Sequence, residues 1–214
     1  MGSDGPFVLA LDLGTSSVRA LLFDSRGRAV PDTETRARTI LDADELVRRT
    51  EEVVDGVLAK AGSRPLSAVA CCTFWHSLIG IDAQGRPRTP LHTWADTHAE
   101  PSGKVLRERL DEKAYHARTG AFFHPVYHPA RLLGLQQTPG YGEIRTWVSL
   151  GEYLHLKLFG RAVASVSMAS ATGLLDVHAC DWDGPTLEAL GLTPKSFSPL
   201  GEVALTGLRE PYAS

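Results

Sequence analysis

The chain has 214 residues, 43% of them hydrophobic and 22% charged, with a formal net charge of −3. That is globular composition, with enough chain for one large domain with a sizeable core or for two small ones. It offers no basic excess for nucleic acid or an anionic membrane surface, and no stretch approaches the roughly 18 apolar residues of a spanning helix.

In chain order, the stretch Phe7 to Asp24 reads as an apolar strand, a tight turn and a second strand. The first run is apolar on both faces, which predicts a buried strand, and Asp12 interrupts it near its end. Gly14-Thr15-Ser16-Ser17 then places small residues, hydroxyls and backbone N–H groups in one turn, a chemistry suited to phosphate. Asp12 is unsuited to phosphate itself but suited to a Mg²⁺ that bridges to it, usually through water. The same residues equally suit an ordinary hairpin with a glycine in its turn. The chain enters this strand with no basic segment ahead of a cleavable apolar one. Its three cysteines, Cys71, Cys72 and Cys180, match neither a disulfide framework nor a zinc spacing. A cytoplasmic protein is the simplest expectation.

Arg28 to Thr35 is expected as a third, more polar strand. Asp42 to Glu45 has the form of a helix start, followed by apolar residues at helical spacing and Gly62 as the stop. Leu66 to Thr73 is short and apolar, which predicts a buried strand. Three strands, a helix and a strand point to an α/β sheet. Leu78 to Arg86 echoes Leu21 to Arg28, since each is a strand followed by Asp-x-x-Gly-Arg, and shared turn chemistry suffices to explain the match. From Trp94 onward helices dominate: 99–110, 111–118, 129–136, the capped helix after Ser149 that ends at Gly160, and 186–190 closed by Gly191. Thr138 to Gly142 reads as a loop and Val163 to Ser167 as a short strand. No shift in composition marks an internal boundary.

Three clusters combine aromatic and polar groups: Trp75-His76, Thr93-Trp94-Ala95-Asp96, and His124-Pro125-Val126-Tyr127-His128-Pro129. Indole faces suit C–H groups, and imidazole or carboxylate suits hydroxyls. The bland alternatives are a structural hydrogen bond for His76 and a helix N-cap by Asp96 with a packed Trp94. The prolines argue against a helix that would let His124 and His128 share a metal.

These residues resemble the N-terminal domain of the FGGY carbohydrate kinases, within the actin/Hsp70/sugar-kinase superfamily. Leu11 to Arg19 is similar to that family's first phosphate motif. Phe74 to Leu78, Asp82 to Pro87 and Thr93 to Asp96 resemble its hairpin and Trp-x-Asp element. Tyr115 to Gly120, His124-Pro125, Ser149 to Gly160, Ser167 to Asp176 and Asp181-Trp182-Asp183 are similar to its later landmarks. The resemblance covers nearly the whole chain in order, and the His-Ser-Leu run, Trp-Ala-Asp and His-Pro look most like the gluconokinase branch.

The resemblance implies an RNase H-like α/β fold, a mixed sheet flanked by helices, over residues 1–214. It also implies ATP-dependent phosphorylation of a sugar, polyol or sugar acid, with ATP and Mg²⁺ as cofactors. Asp12 would serve the Mg²⁺; Gly14, Thr15 and Ser16 would face the phosphates. Trp75, His76, Trp94, Asp96 and His124 would line the sugar site. His98 stands where the family often has Arg, and Arg131-Leu132-Leu133-Gly134 where it has Lys-x-x-Trp; both leave the particular sugar open. The family's catalytic Asp lies in a later Gly-Asp motif, and its adenosine is held by a C-terminal domain; neither is in this chain. The expected partners are therefore the sugar or sugar acid and that missing domain, with a homo-oligomer also compatible. A chain inactive by itself is expected, and the alternative is a non-catalytic carbohydrate-binding or regulatory module on the same fold.

Overall fold

The computed structural model describes residues 6–62, 65–96, 101–202 and 204–210, which form two compact units, Met1–Phe74 and Trp75–Ser214. The division after Phe74 has no compositional signature, because both sides are built from the same kinds of apolar strand and polar turn.

In the first unit, β1 (Phe7–Leu13) and β2 (Ser17–Phe23) pair antiparallel, and β3 (Thr35–Arg38) and β4 (Leu66–Thr73) complete a four-stranded sheet of order β3-β2-β1-β4. Only β4 runs parallel to its neighbour, β1, so the sheet is mixed. Leu9, Leu11 and Leu13 lie opposite Leu22, Ala20 and Val18, and all six are buried on one face. Helix α1 (Ala43–Ala61) packs against β2 and β3 and buries Leu46, Val53 and Val57. Its Asp42 side chain accepts from Glu45 N, and Gly62 ends it at φ 62°. β1 is therefore buried on one face rather than both: Val8, Ala10 and Asp12 alternate with the core residues and stay half-buried.

Two strand expectations change. The third strand lies at Thr35–Arg38, not 28–35, because Pro31 and Asp32 (φ 61°) form a turn. The Thr33 hydroxyl also takes the Leu22 N–H that a strand there would have bonded. β4 is a strand as expected but is exposed from Ser67 to Cys72, because among the described residues it pairs only with β1.

In the second unit, β5 (Ile79–Ile81) pairs with β6 (Thr146–Val148), and a short hairpin joins β7 (Leu175–Asp176) to β8 (Asp181–Trp182). Around them lie α2 (Ser102–Arg109), α3 (Glu112–Thr119), α4 (His128–Leu135), α5 (Leu150–Phe159), α6 (Val166–Ser170) and α7 (Gly184–Ala189). The core gathers Leu78, Leu106, Tyr115, Leu132, Trp147 and Leu174. The Ser149–Glu152 capping box opens α5 as its sequence requires. Of the expected strand at 163–167 only Ala164 pairs, in an isolated bridge with Leu200, while Val166 and Ser167 begin α6, because the Ser165 hydroxyl accepts from Met168 N and caps a helix. The expected 138–142 loop tightens into a 3₁₀ turn at Tyr141–Glu143. Residues 99–100 of the first expected helix, and His98, lie outside the described residues.

The two Asp-x-x-Gly-Arg turns are built alike. Asp24 Oδ1 accepts from Arg26 N and Arg28 N, and Oδ2 from Arg28 Nε. Asp82 Oδ1 accepts from Gln84 N and Arg86 N, and Oδ2 from Arg86 Nε. Gly27 and Gly85 both sit at φ 73°, where a side chain would be strained.

Candidate functional site

The residues expected to meet phosphate and metal all lie in the first unit. The β1–β2 turn is fastened at both ends: Gly14 N donates to Ser17 O at 3.0 Å, and the Thr39 hydroxyl donates to Gly14 O at 2.7 Å. A Cβ on Gly14 would come within 3.2 Å of Ser17 O, so the tightness of this turn favours glycine. Thr15 and Ser16 stand exposed at its tip. Asp12 lies on the sheet face away from α1, opposite Arg19 in the register, and Arg19 Nη2 donates to its Oδ2 at 2.5 Å. Arg36 of β3 follows Arg19 in the same row. The Asp12 side chain keeps 45% of its surface open. One accessible carboxylate beside exposed hydroxyls fits the sparse protein ligation of a hydrated Mg²⁺ that also bridges phosphates.

The residues expected to meet sugar all lie in the second unit, on three loops. Trp75 is 53% exposed, while His76 is half-buried, with its ring edge-on to Trp75 at 6.3 Å and to Tyr127 at 5.5 Å. His76 sits at φ 59°, a conformation costly for any residue with a Cβ. On the second loop Asp96 folds back: its Oδ2 accepts from Thr93 N at 2.6 Å, and its own N–H donates to Thr93 O at 3.1 Å. Asp96 thus closes a turn on Thr93, and the first described helix after it, α2, begins at Ser102. Trp94 is not packed but 57% exposed. On the third loop, His124 is exposed and its Nδ1 accepts from Val126 N at 3.1 Å.

Arg131, on α4, joins the three loops. Its Nε donates to Pro125 O at 2.9 Å, Nη1 to His76 O and Nη2 to Thr93 O. The residue is only 3% exposed. Burial lowers the pKa of its guanidinium, and the Asp96 charge works against that shift. Burial also lowers the pKa of His76, despite a backbone hydrogen bond with Ala171, and the Arg131 charge adds to the lowering. His128 is fully buried, and burial, with Arg131 next in effect, takes its pKa down to about 3. Both rings are therefore neutral near pH 7, each with one nitrogen able to donate and one able to accept.

From the sequence, Arg19 has no expected site role, Tyr127 and His128 are expected only as neighbours of His124 in one cluster, and Arg131 only as the residue standing at the family's Lys-x-x-Trp lysine. The available signal for Arg131 was a single cation inside an otherwise apolar helix, Pro-Ala-Arg-Leu-Leu. Among the described residues no group of three His, Cys, Asp or Glu side chains is placed to hold a metal, and no helix is long and apolar enough to cross a membrane.

The sequence model for the FGGY family of carbohydrate kinases, N-terminal domain, matches residues 7–205. The chain is 27% identical over 207 residues to a gluconokinase of Bacillus subtilis, covering 91% of this chain and 40% of that protein. It is 31% identical over 205 residues to a glycerol kinase of Leptothrix cholodnii, covering 86% of this chain and 41% of the relative. Its fold matches the crystal structure of gluconate kinase from Lactobacillus acidophilus with a TM-score of 0.89 at 22% identity, over 97% of this chain and 44% of that one. The chain thus spans about 40% of the length of the curated relatives it matches.

Proposed function

The chain belongs to the FGGY family of carbohydrate kinases, and we propose that it is the sugar-binding, N-terminal domain of an ATP-dependent kinase for a sugar, polyol or sugar acid. Gluconate-like substrates are favoured, in keeping with the Bacillus subtilis gluconokinase. The observation that carries this reading is the gathering of Trp75-His76, Trp94-Asp96 and His124 onto three loops tied to one guanidinium. Exposed indole faces beside a carboxylate and imidazoles match a polyhydroxylated molecule. Each hydroxyl needs a partner, and a site built for them rejects analogues that leave its polar groups unpaired.

In this reading Trp75 and Trp94 take the C–H faces of the sugar. Asp96 accepts from hydroxyls, while His76 and His124 donate or accept. Asp12 would hold a hydrated Mg²⁺, and the Gly14-Thr15-Ser16 turn would turn N–H and hydroxyl donors to phosphate oxygens. ATP with Mg²⁺ supplies the transferable phosphoryl group and the neutralising charge. The group that takes the proton from the reacting hydroxyl is assigned to the part of the longer protein outside these residues, so this chain alone is expected to be inactive.

The test is a panel of gluconate, xylulose, glycerol, ribulose and a non-sugar control. It is run by calorimetry on this chain and as a kinase assay on the full-length protein. Phosphorylation of one polyol by the full-length protein and none by the 214 residues is expected. Turnover by the 214 residues alone refutes the division of labour, and sugar binding without turnover in the full-length protein points to a non-catalytic carbohydrate-binding module.

A further inference from the structure

We propose that Arg131 is the positioning residue of the sugar site: its buried guanidinium holds the loops of His76, Trp94–Asp96 and His124 in one fixed arrangement. The proposal rests on the carbohydrate-kinase reading above and adds to it the device that shapes the pocket.

The geometry carries it. The three acceptors are main-chain carbonyls, one on each loop: His76 O, Thr93 O and Pro125 O. Each belongs to, or directly adjoins, a residue of the candidate sugar wall. His76 is itself the residue whose carbonyl is held, and it is held at φ 59°. Thr93 O receives two donors, Arg131 Nη2 and Asp96 N, so the guanidinium and the Asp96 turn lock each other. Pro125 follows His124 directly, and its ring stiffens the segment that Arg131 Nε grips.

The chemistry of the cation makes the role specific. A guanidinium offers five N–H donors in a rigid plane, and three of them reach three different loops at once. An ammonium carries its three donors on one nitrogen, whereas these acceptors each meet a different nitrogen of Arg131, so a lysine would hold them in a different geometry. Among the described residues Arg131 makes no ion pair within 4.0 Å, although twelve other such contacts occur. A buried charge compensated by carbonyls of separate loops is poorly suited to mere stability, since an apolar residue would fill the space at lower cost. It suits a site in which loop positions must be reproducible, where a misplacement of about 1 Å costs on the order of 100-fold.

The experiment uses the full-length protein and the variants Arg131→Lys and Arg131→Met, with two readouts. Hydrogen exchange reports residues 74–78, 92–96 and 122–128; steady-state kinetics reports KM for the sugar and KM for ATP separately. Arg131→Lys is expected to raise exchange in all three loops together while leaving β1, β2 and α1 unchanged. It is also expected to raise sugar KM at least tenfold, with ATP KM within twofold of wild type. If Arg131→Lys leaves all three loops protected, or loosens only one, the proposal is overturned. It is also overturned if both KM values rise in parallel. If wild type phosphorylates no member of the panel, the kinase reading fails, and the exchange result still decides whether Arg131 fixes the loops.

Discussion

Asp12 and Arg19 face each other across the β1–β2 ladder, with Arg19 Nη2 on Asp12 Oδ2 and each side chain close to half exposed. An ion pair this open contributes only ~0–1 kcal/mol to stability. Its value lies in aiming the carboxylate across the sheet face beside the Gly14 turn. Asp12→Asn in the full-length protein is therefore expected to leave the denaturation midpoint nearly unchanged. Phosphoryl transfer should slow by roughly 100-fold or more, the scale seen when one electrostatic stabiliser is removed. A variant with wild-type kcat at saturating Mg²⁺ would remove Asp12 from the metal role.

Trp94 exposes 57% of its surface and Trp75 53%, on loops whose backbones are otherwise pinned. Large exposed aromatics on rigid loops cost little to lose structurally. Trp94→Ala is expected to keep the melting temperature within about 2 °C. It should weaken sugar binding by roughly 1 kcal/mol, about fivefold in Kd. Calorimetric titration with the best substrate of the panel measures it; unchanged affinity would place the sugar elsewhere.

Asp183 is fully buried and caps α7, accepting from Thr186 N and the Thr186 hydroxyl while Arg118 approaches through Nε at 2.6 Å and Nη2 at 3.1 Å. Hydrogen bonding to Asp183 raises the Arg118 pKa. Removing the carboxylate leaves α7 uncapped and takes both hydrogen bonds from the Arg118 side chain, which is 27% exposed and can turn to water. Asp183→Ala is expected to destabilise the second unit by about 2–3 kcal/mol in urea denaturation. A loss under about 1 kcal/mol would mean that water readily replaces the carboxylate.

His128 has the largest pH consequence. In the unfolded chain it titrates near 6.5, and in the folded chain burial brings it to about 3. Between those values the unfolded chain binds the extra proton, so stability is full above pH 6.5 and falls as the pH drops through that window. The slope reaches about 1.4 kcal/mol per pH unit. The lowered pKa values of His76 and His155 act in the same direction. The difference in urea midpoint between pH 7 and pH 5 should shrink in His128→Gln; an undiminished difference would assign the pH dependence to other groups.

What the sequence disclosed follows the range of the interactions. The turns at Asp24 and Asp82 and the caps at Asp42 and Ser149 are satisfied within four residues, so their chemistry is written locally. The third strand starts late because Pro31 and Asp32 form a turn and the Thr33 hydroxyl claims the Leu22 N–H, 11 residues away. The residues proposed for the sugar wall are legible as aromatic and polar pairs. Their organiser is not, because Arg131 acts on carbonyls 55 and 38 residues distant, and carbonyls carry no side-chain signature.

The exposure of β4 bears on how this protein behaves in the test tube. From Leu66 to Thr73 the strand reads Leu-Ser-Ala-Val-Ala-Cys-Cys-Thr, without a lysine, glutamate or proline to discourage a stray neighbour. Val69 is 57% exposed, and Cys71 and Cys72 are exposed and free. An edge of this kind is a template on which another chain can add a strand. Concentrated samples of the 214 residues will therefore self-associate through β4 before they lose secondary structure, and dilution with reducing agent will keep them dispersed.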